Sequence, residues 1–268
     1  MKSLLVLSLF AVTLSAAIED KETIDRSFPN ATKLLVDNIN GTIHVTGVSG
    51  NSLHFKADKT ITAESSEALA EAKRDVKLDV STQGSFVRLY VDGPFREHDR
   101  GRQFYGYQVK FDYDIQVPIG IELILKTVNG GEITVKGTNG PYDIRHVNGA
   151  ITMENIGGSG TVSSVNGPLK VSFSKNPTEA AKFHTVNGGI DVHFKSPLNA
   201  DMKFKSINGH VYTDFDVAAL PMSVGTTETR NGKFIYKADR SQAGRIGKGG
   251  PMLDFETING SVHLFTKE

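Results

Sequence analysis

Charged and aromatic side chains are most densely interleaved between Pro94 and Tyr107, where Arg96, His98, Arg100, Arg102, Tyr105 and Tyr107 follow one another within fourteen positions. Guanidinium groups and phenol rings in that mixture bind a sugar by stacking plus hydrogen bonding, or anchor a protein partner. The competing reading is a hairpin tip whose rings tuck back against the body of the protein. A second cluster, Asp191, His193 and Asp214, has the residue types for metal ligation or acid–base work, although polar residues on a solvated face give the same pattern. Other chemistries are closed off. The chain has no cysteine, which excludes thiol catalysis, and none of its 8 histidines has a neighbour at metal-ligand spacing. Gly244-Arg245-Ile246-Gly247-Lys248-Gly249-Gly250 lacks both the spacing and the Ser/Thr of a phosphate loop, so Arg240, Arg245 and Lys248 read as a solvated basic loop. No catalytic residue, metal site or cofactor is expected.

What must position these residues is a repeat. A Val/Ile-Asn-Gly triplet returns seven times, centred on Asn40, Asn129, Asn148, Asn166, Asn187, Asn208 and Asn259. Three residues after the Asn comes an apolar position (Ile43, Ile151, Leu169, Ile190, Val211, Val262), and the Asn129 copy is shifted by its extra Gly131. Four residues before it lie Val36, Leu125, Ile144, Val162, Phe183, Phe204 and Phe255. Two before it stands a small polar residue, as in Thr127, Ser164, Thr185, Ser206 and Thr257, with Asn38 and His146 as exceptions. The unit is therefore an alternating strand, a corner and a second alternating strand. Asn-Gly is expected to supply the positive-φ residues of a tight bend.

Asn-Gly between alternating strands is also the strongest hairpin signal, so an antiparallel meander competes. The spacing favours stacking, because from Asn129 to Asn208 the intervals are 19, 18, 21 and 21 residues. A period near 20 residues predicts an all-β parallel solenoid, of β-helix or β-roll type, in which equivalent side chains form columns and corner Asn residues hydrogen-bond to one another. Residues 30–125 are less regular, with a short inserted or capping helix over 64–75 whose Leu69, Ala72 and Val76 share a face. Residues 126–268 hold the regular coils, interrupted by a longer insertion at 218–253.

At the amino terminus, Lys2 and the apolar run from Leu4 to Val12, followed by Ser15-Ala16-Ala17, predict a signal peptide cleaved after Ala17. The remainder, 18–268, reads as a single domain. The apolar run is short for a bilayer span and no longer one follows, so no membrane span is expected after cleavage. Lys+Arg and Asp+Glu are 30 each, which removes a global field for nucleic acid.

The leader, the Val/Ile-Asn-Gly-x-apolar-x-apolar units and the Val117-Pro118-Ile119-Gly120 step resemble the bacterial putative-adhesin β-solenoid family of unknown function. The resemblance spans about residues 30–268 and carries over no active site. It implies an exported protein, periplasmic or at the cell surface, that binds through its surface. The function expected is a non-enzymatic, adhesin-like rigid β-surface for a polysaccharide or an envelope protein. A carbohydrate-active β-helix enzyme and a structural or signalling accessory of the envelope are the alternatives. Oligomeric state has no signature in the sequence.

Overall fold

The computed structural model describes residues 17–96, 105–221, 226–230, 233–237 and 241–267. Residues 1–16 of the expected leader lie outside them. The chain opens with β1 (Ile18–Pro29), β2 (Lys33–Asp37), β3 (Ile43–Val48) and β4 (Ser52–Ala63), then helix α1 (Ser66–Asp75). It continues through β5 (Lys77–Gln83), β6 (Phe86–Asp92), β7 (Tyr107–Pro118), β8 (Glu122–Thr127) and β9 (Ile133–Lys136). Next come β10 (Tyr142–His146), β11 (Ile151–Ile156), β12 (Gly160–Asn166), β13 (Leu169–Phe173), β14 (Ala181–Asn187) and β15 (Ile190–Lys195). The last third holds β16 (Ala200–Asn208), β17 (Val211–Thr213), β18 (Val217–Ala219), β19 (Thr226–Arg230) and β20 (Lys233–Lys237). It ends with β21 (Gln242–Ile246), β22 (Met252–Asn259) and β23 (Val262–Lys267).

Two large sheets face each other. The first has 10 strands in the order β1-β4-β7-β3-β9-β11-β13-β15-β23-β17, and the second has 11 in the order β18-β21-β16-β22-β14-β12-β10-β8-β2-β6-β5. Both are mixed, which overturns the expected parallel β-solenoid. Parallel pairing is confined to the strands flanking the Asn-Gly corners and to the β2–β6 and β3–β7 pairs. The β1–β4, β4–β7, β5–β6, β16–β21 and β18–β21 pairs are antiparallel. Period-two alternation specifies which face of a strand is buried but not the direction of its neighbour. Direction follows from the connections, such as the tight β5–β6 turn at Gly84, whose φ is +61°.

Chain order differs as well. The Asn259 unit, β22–β23, lies between the Asn187 and Asn208 units, with β22 paired to both β14 and β16. The chain passes through β18, the separate β19–β20 hairpin and β21 before returning to that slot.

The alternation buries one residue in two. Leu125, Ile144, Val162, Phe183 and Phe255 of the second sheet meet Ile133, Ile151, Leu169, Ile190 and Val262 of the first, all essentially inaccessible. Each such side chain contributes about 1.5–3 kcal/mol on burial. Because the units pair in register, like rings stack. Phe255 lies 5.2 Å from Phe183 and 5.5 Å from Phe204, with planes within 17°. Helix α1 starts at Ser65, whose hydroxyl accepts from the Ala68 amide at 3.2 Å, and it buries Ala72 with Val76 just beyond its end.

Candidate functional site

The corners form one continuous polar seam. The Asn148 side-chain amide donates to Asn129 Oδ1 at 2.7 Å, Asn166 to Asn148 at 2.8 Å, and Asn187 to Asn166 at 2.7 Å. Asn259 then donates to Asn187 at 2.6 Å and Asn208 to Asn259 at 2.7 Å. Every amide points the same way along the stack. Asn40, although bridged to Asn129, turns its amide to the Val109 carbonyl at 3.1 Å instead. Behind the Asn column, four of the small polar residues close corner carbonyls, whereas the buried Thr127 hydroxyl makes no such bond. Ser164 Oγ donates to Gly149 O at 3.0 Å, Thr185 to Gly167 at 2.9 Å, Thr257 to Gly188 at 3.1 Å and Ser206 to Gly260 at 3.1 Å.

The glycines of these corners do a different job from the one expected. Among them only Gly41, Gly130 and Gly131 have positive φ, and none of the corner Asn residues does. What requires glycine is close approach between stacked corners: a Cβ on Gly167 would sit 2.0 Å from Gly149 O, and one on Gly260 would sit 2.0 Å from Gly188 O. His146 occupies the small-polar column, buried at 2% exposure. Burial pushes its pKa below the ordinary histidine value, and the Gly131 backbone carbonyl, which favours the protonated ring, opposes the shift.

The loop picked out by the sequence is only partly brought together. His98, Arg100 and Arg102 lie outside the described residues. Arg96 is turned inward onto the fold: its Nη2 donates to Asp37 Oδ1 at 2.8 Å and to Asp37 O at 3.0 Å, and its Nε to Val91 O at 3.0 Å. The guanidinium lies 4.4 Å from the Tyr90 ring centroid. Tyr105 and Tyr107 pack ring on ring at 5.5 Å. The Tyr107 hydroxyl is buried without a hydrogen bond, and burial with Glu71 and Asp75 nearby pushes its pKa up to about 12. Thus Arg96 and Tyr107 hold the base of the loop. The basic turn at 244–250 is also tied down, since Arg245 reaches Asp201 with two bonds of 2.6 and 2.9 Å. Arg240 lies outside the described residues.

A cluster with more exposed chemistry lies on the outer face of the first sheet, across β15, β23 and β17. Register places Asp191 beside His263 and His263 beside Tyr212, and in the next row His193 beside Phe265. The rings lie nearly parallel: His193 to Phe265 at 4.6 Å, Tyr212 to His263 at 5.0 Å and His263 to Phe265 at 5.9 Å. His210 meets Tyr212 edge-on at 6.1 Å. Tyr212 ends the stack on the last strand of the sheet and is 52% exposed. The carboxylates are engaged, Asp191 with His263 Nδ1 at 2.8 Å and Asp214 with the Thr266 amide at 3.1 Å.

The sequence brought forward Asp191, His193 and Asp214 but missed Tyr212, His263 and Phe265, because adjacency across strands depends on the Asn259 unit entering out of order. Among the described residues no three His, Asp or Glu side chains are placed to hold a metal ion, and no helix is long and apolar enough to cross a membrane.

In comparisons with known proteins, no family model matches the chain and no curated protein does. Among solved structures it is similar to a putative cell adhesion protein from Clostridium sporogenes, at 13% identity over 94% of this chain and 100% of that one, with a TM-score of 0.45. A putative adhesin from Bacteroides fragilis matches at 10% identity over 92% and 97% of the two chains, TM-score 0.37. A putative lipid binding protein from Parabacteroides distasonis matches at 10% identity over 93% and 97%, TM-score 0.25. At TM-scores below 0.5 these likenesses assign neither ligand nor activity to this chain.

Proposed function

We propose that the mature chain is a non-enzymatic, adhesin-like module, exported to the periplasm or cell exterior, whose rigid β-surface binds a polysaccharide. The observation that carries this reading is the ring-and-carboxylate row on β15, β23 and β17, displayed on a face stiffened by the hydrogen-bonded corner seam. Sugar rings present C–H faces that stack on exposed aromatics and hydroxyls that bond to carboxylates and imidazoles, and Tyr212, His210, Asp191 and Asp214 supply both kinds of contact. A carbohydrate-active enzyme is less well served, because Asp191 and Asp214 are each engaged by a neighbour on their own face.

The test is co-sedimentation of the mature protein with cell-wall and extracellular polysaccharides, beside Tyr212→Ala and a variant lacking residues 97–104. Saturable binding lost with Tyr212→Ala supports the proposal. Loss confined to the loop deletion moves the site to that loop. No binding by any of the three proteins overturns the polysaccharide reading.

A further inference from the structure

The array ends unevenly at β17. In the second sheet β16 is followed by β21 and then β18, whereas among the described residues no strand follows β17 in the first sheet. The second sheet therefore runs two strands past the point where the first one stops. Among the described residues no first-sheet strand faces Gly244 of β21 or Val217 and Ala219 of β18, and these line an apolar cleft of about 390 Å³ together with Phe204, Val211 and Leu220. The β19–β20 hairpin forms a separate two-stranded sheet, its strands paired with no other described strand.

Among the described residues no strand pairs with the edge beside this cleft. On its closed side, His210 O accepts from the Val262 amide at 2.9 Å and the Asp214 amide donates to Leu264 O at 3.0 Å. Alternation along the strand then points the backbone groups of Val211 and Thr213 away from β23, to the open edge. The corner seam stops at the same place, because Asn208 donates to Asn259 and no further Asn amide reaches its Oδ1 among the described residues.

We infer that this edge accepts an extended strand from a partner polypeptide, paired to β17, with alternate apolar side chains filling the cleft. The three features select one kind of occupant. Val211 and Thr213 need backbone donors and acceptors, the cleft takes side chains at period two, and Asn208 Oδ1 accepts an amide from the corner position of such a strand. An acyl chain would fill the cleft and leave the edge unpaired. A second copy fits poorly: its long free edge, β1, carries Glu19, Asp20, Lys21, Glu22, Asp25 and Arg26, which keep an edge solvated, and two three-residue β17 strands meeting would leave both clefts open. The inference uses the strand edge and not the outward ring face, so peptide binding and polysaccharide binding can fail separately.

The probe is a fluorescent synthetic peptide copying Asn259–Lys267, the segment that already pairs with β17 inside the array. Titrated into the mature protein and followed by anisotropy, it should bind saturably. A peptide with Val262→Asp and Leu264→Asp should bind at least about tenfold more weakly, since both apolar contacts are lost. In the protein, Thr213→Pro removes one open-edge N–H and Ala219→Lys puts a charge in the cleft. Each should weaken binding about tenfold. Ala219→Lys should leave the melting temperature unchanged because Ala219 lies off the β23 side, whereas Thr213→Pro also removes the hydroxyl that accepts from the Phe215 amide at 3.1 Å. If Thr213→Pro unfolds the protein, Ala219→Lys carries the comparison alone. The inference is overturned by no saturable binding, or by binding indifferent to the protein substitutions. Binding that emerges only when residues 226–237 are excised also overturns it, since the chain's own segment would then be the occupant.

Discussion

At the amino-terminal end, β1 and β4 lay twelve-residue strands antiparallel over β7, α1 packs against them, and the outermost strand is studded with charge. At the other end, β17 is three residues long, its neighbour sheet overshoots it, and apolar side chains line an open step. Both ends terminate the same run of in-register units, so the contrast separates two ways of stopping a sheet. A charged strand discourages further pairing, whereas a short strand beside an apolar cleft leaves a template. Between the ends, the units at Asn166, Asn187, Asn259 and Asn208 are each held by a core column, a hydroxyl column and an Asn column. A change in the middle should therefore break contacts on two sides, and the same change at an end on one.

The largest expected effect is in the core column. Phe255→Ala removes the middle ring of the Phe183–Phe255–Phe204 stack and should cost about 3–5 kcal/mol in urea unfolding. Phe28→Ala, which removes a half-buried ring 6.2 Å from Phe55 at the amino-terminal end, should cost clearly less. Equal losses would mean the array does not concentrate stability at its centre. The Asn column gives a smaller step. Asn166 both donates to Asn148 and accepts from Asn187, so Asn166→Ala should cost about 1–2 kcal/mol, near 1 per bond. Asn208→Ala, at the seam's end with a single bond, should cost about half of that. A thermal melt of Asn166→Ala matching wild type would remove the seam from the list of stabilising features.

Much of this layout was legible in the residues. Local alternation placed buried side chains such as Ile144, Val171 and Phe183, and the apolar face of Leu69, Ala72 and Val76 located the helix, observed at Ser66–Asp75. Strand direction was not legible, because β4 and β7 alternate in the same way whether their neighbours run parallel or antiparallel. Nor was the order of units: nothing local to Asn259 records that its strands lie between those of Asn187 and Asn208, since that adjacency is created by the route through β18 and β21. The ring row inherits the same blindness. His263 and Phe265 are ordinary outward residues in the sequence and become neighbours of Asp191, His193 and Tyr212 only once that slot is known. Asn-Gly misled in another way. Its commonest use is positive φ, but in the corners at Gly167 and Gly260 the missing Cβ makes room for the carbonyl of the stacked corner.

The smallest expected effect tests the hydroxyl column at its exception. His146 stands where its neighbours have Thr127 and Ser164, and burial depresses its pKa. The unfolded chain therefore binds a proton more readily than the folded one between the folded pKa and the ordinary value near 6.5. Stability is full above that ordinary value and is lost as pH falls toward and through the folded pKa. Urea midpoints measured from pH 7.5 down to pH 5 should decline in wild type, and the decline should flatten in His146→Thr, which restores a hydroxyl. If both proteins lose stability in parallel, the acid sensitivity belongs to other groups. If His146→Thr is flatter but less stable at pH 7.5, the imidazole contributes packing to that column that a hydroxyl cannot replace.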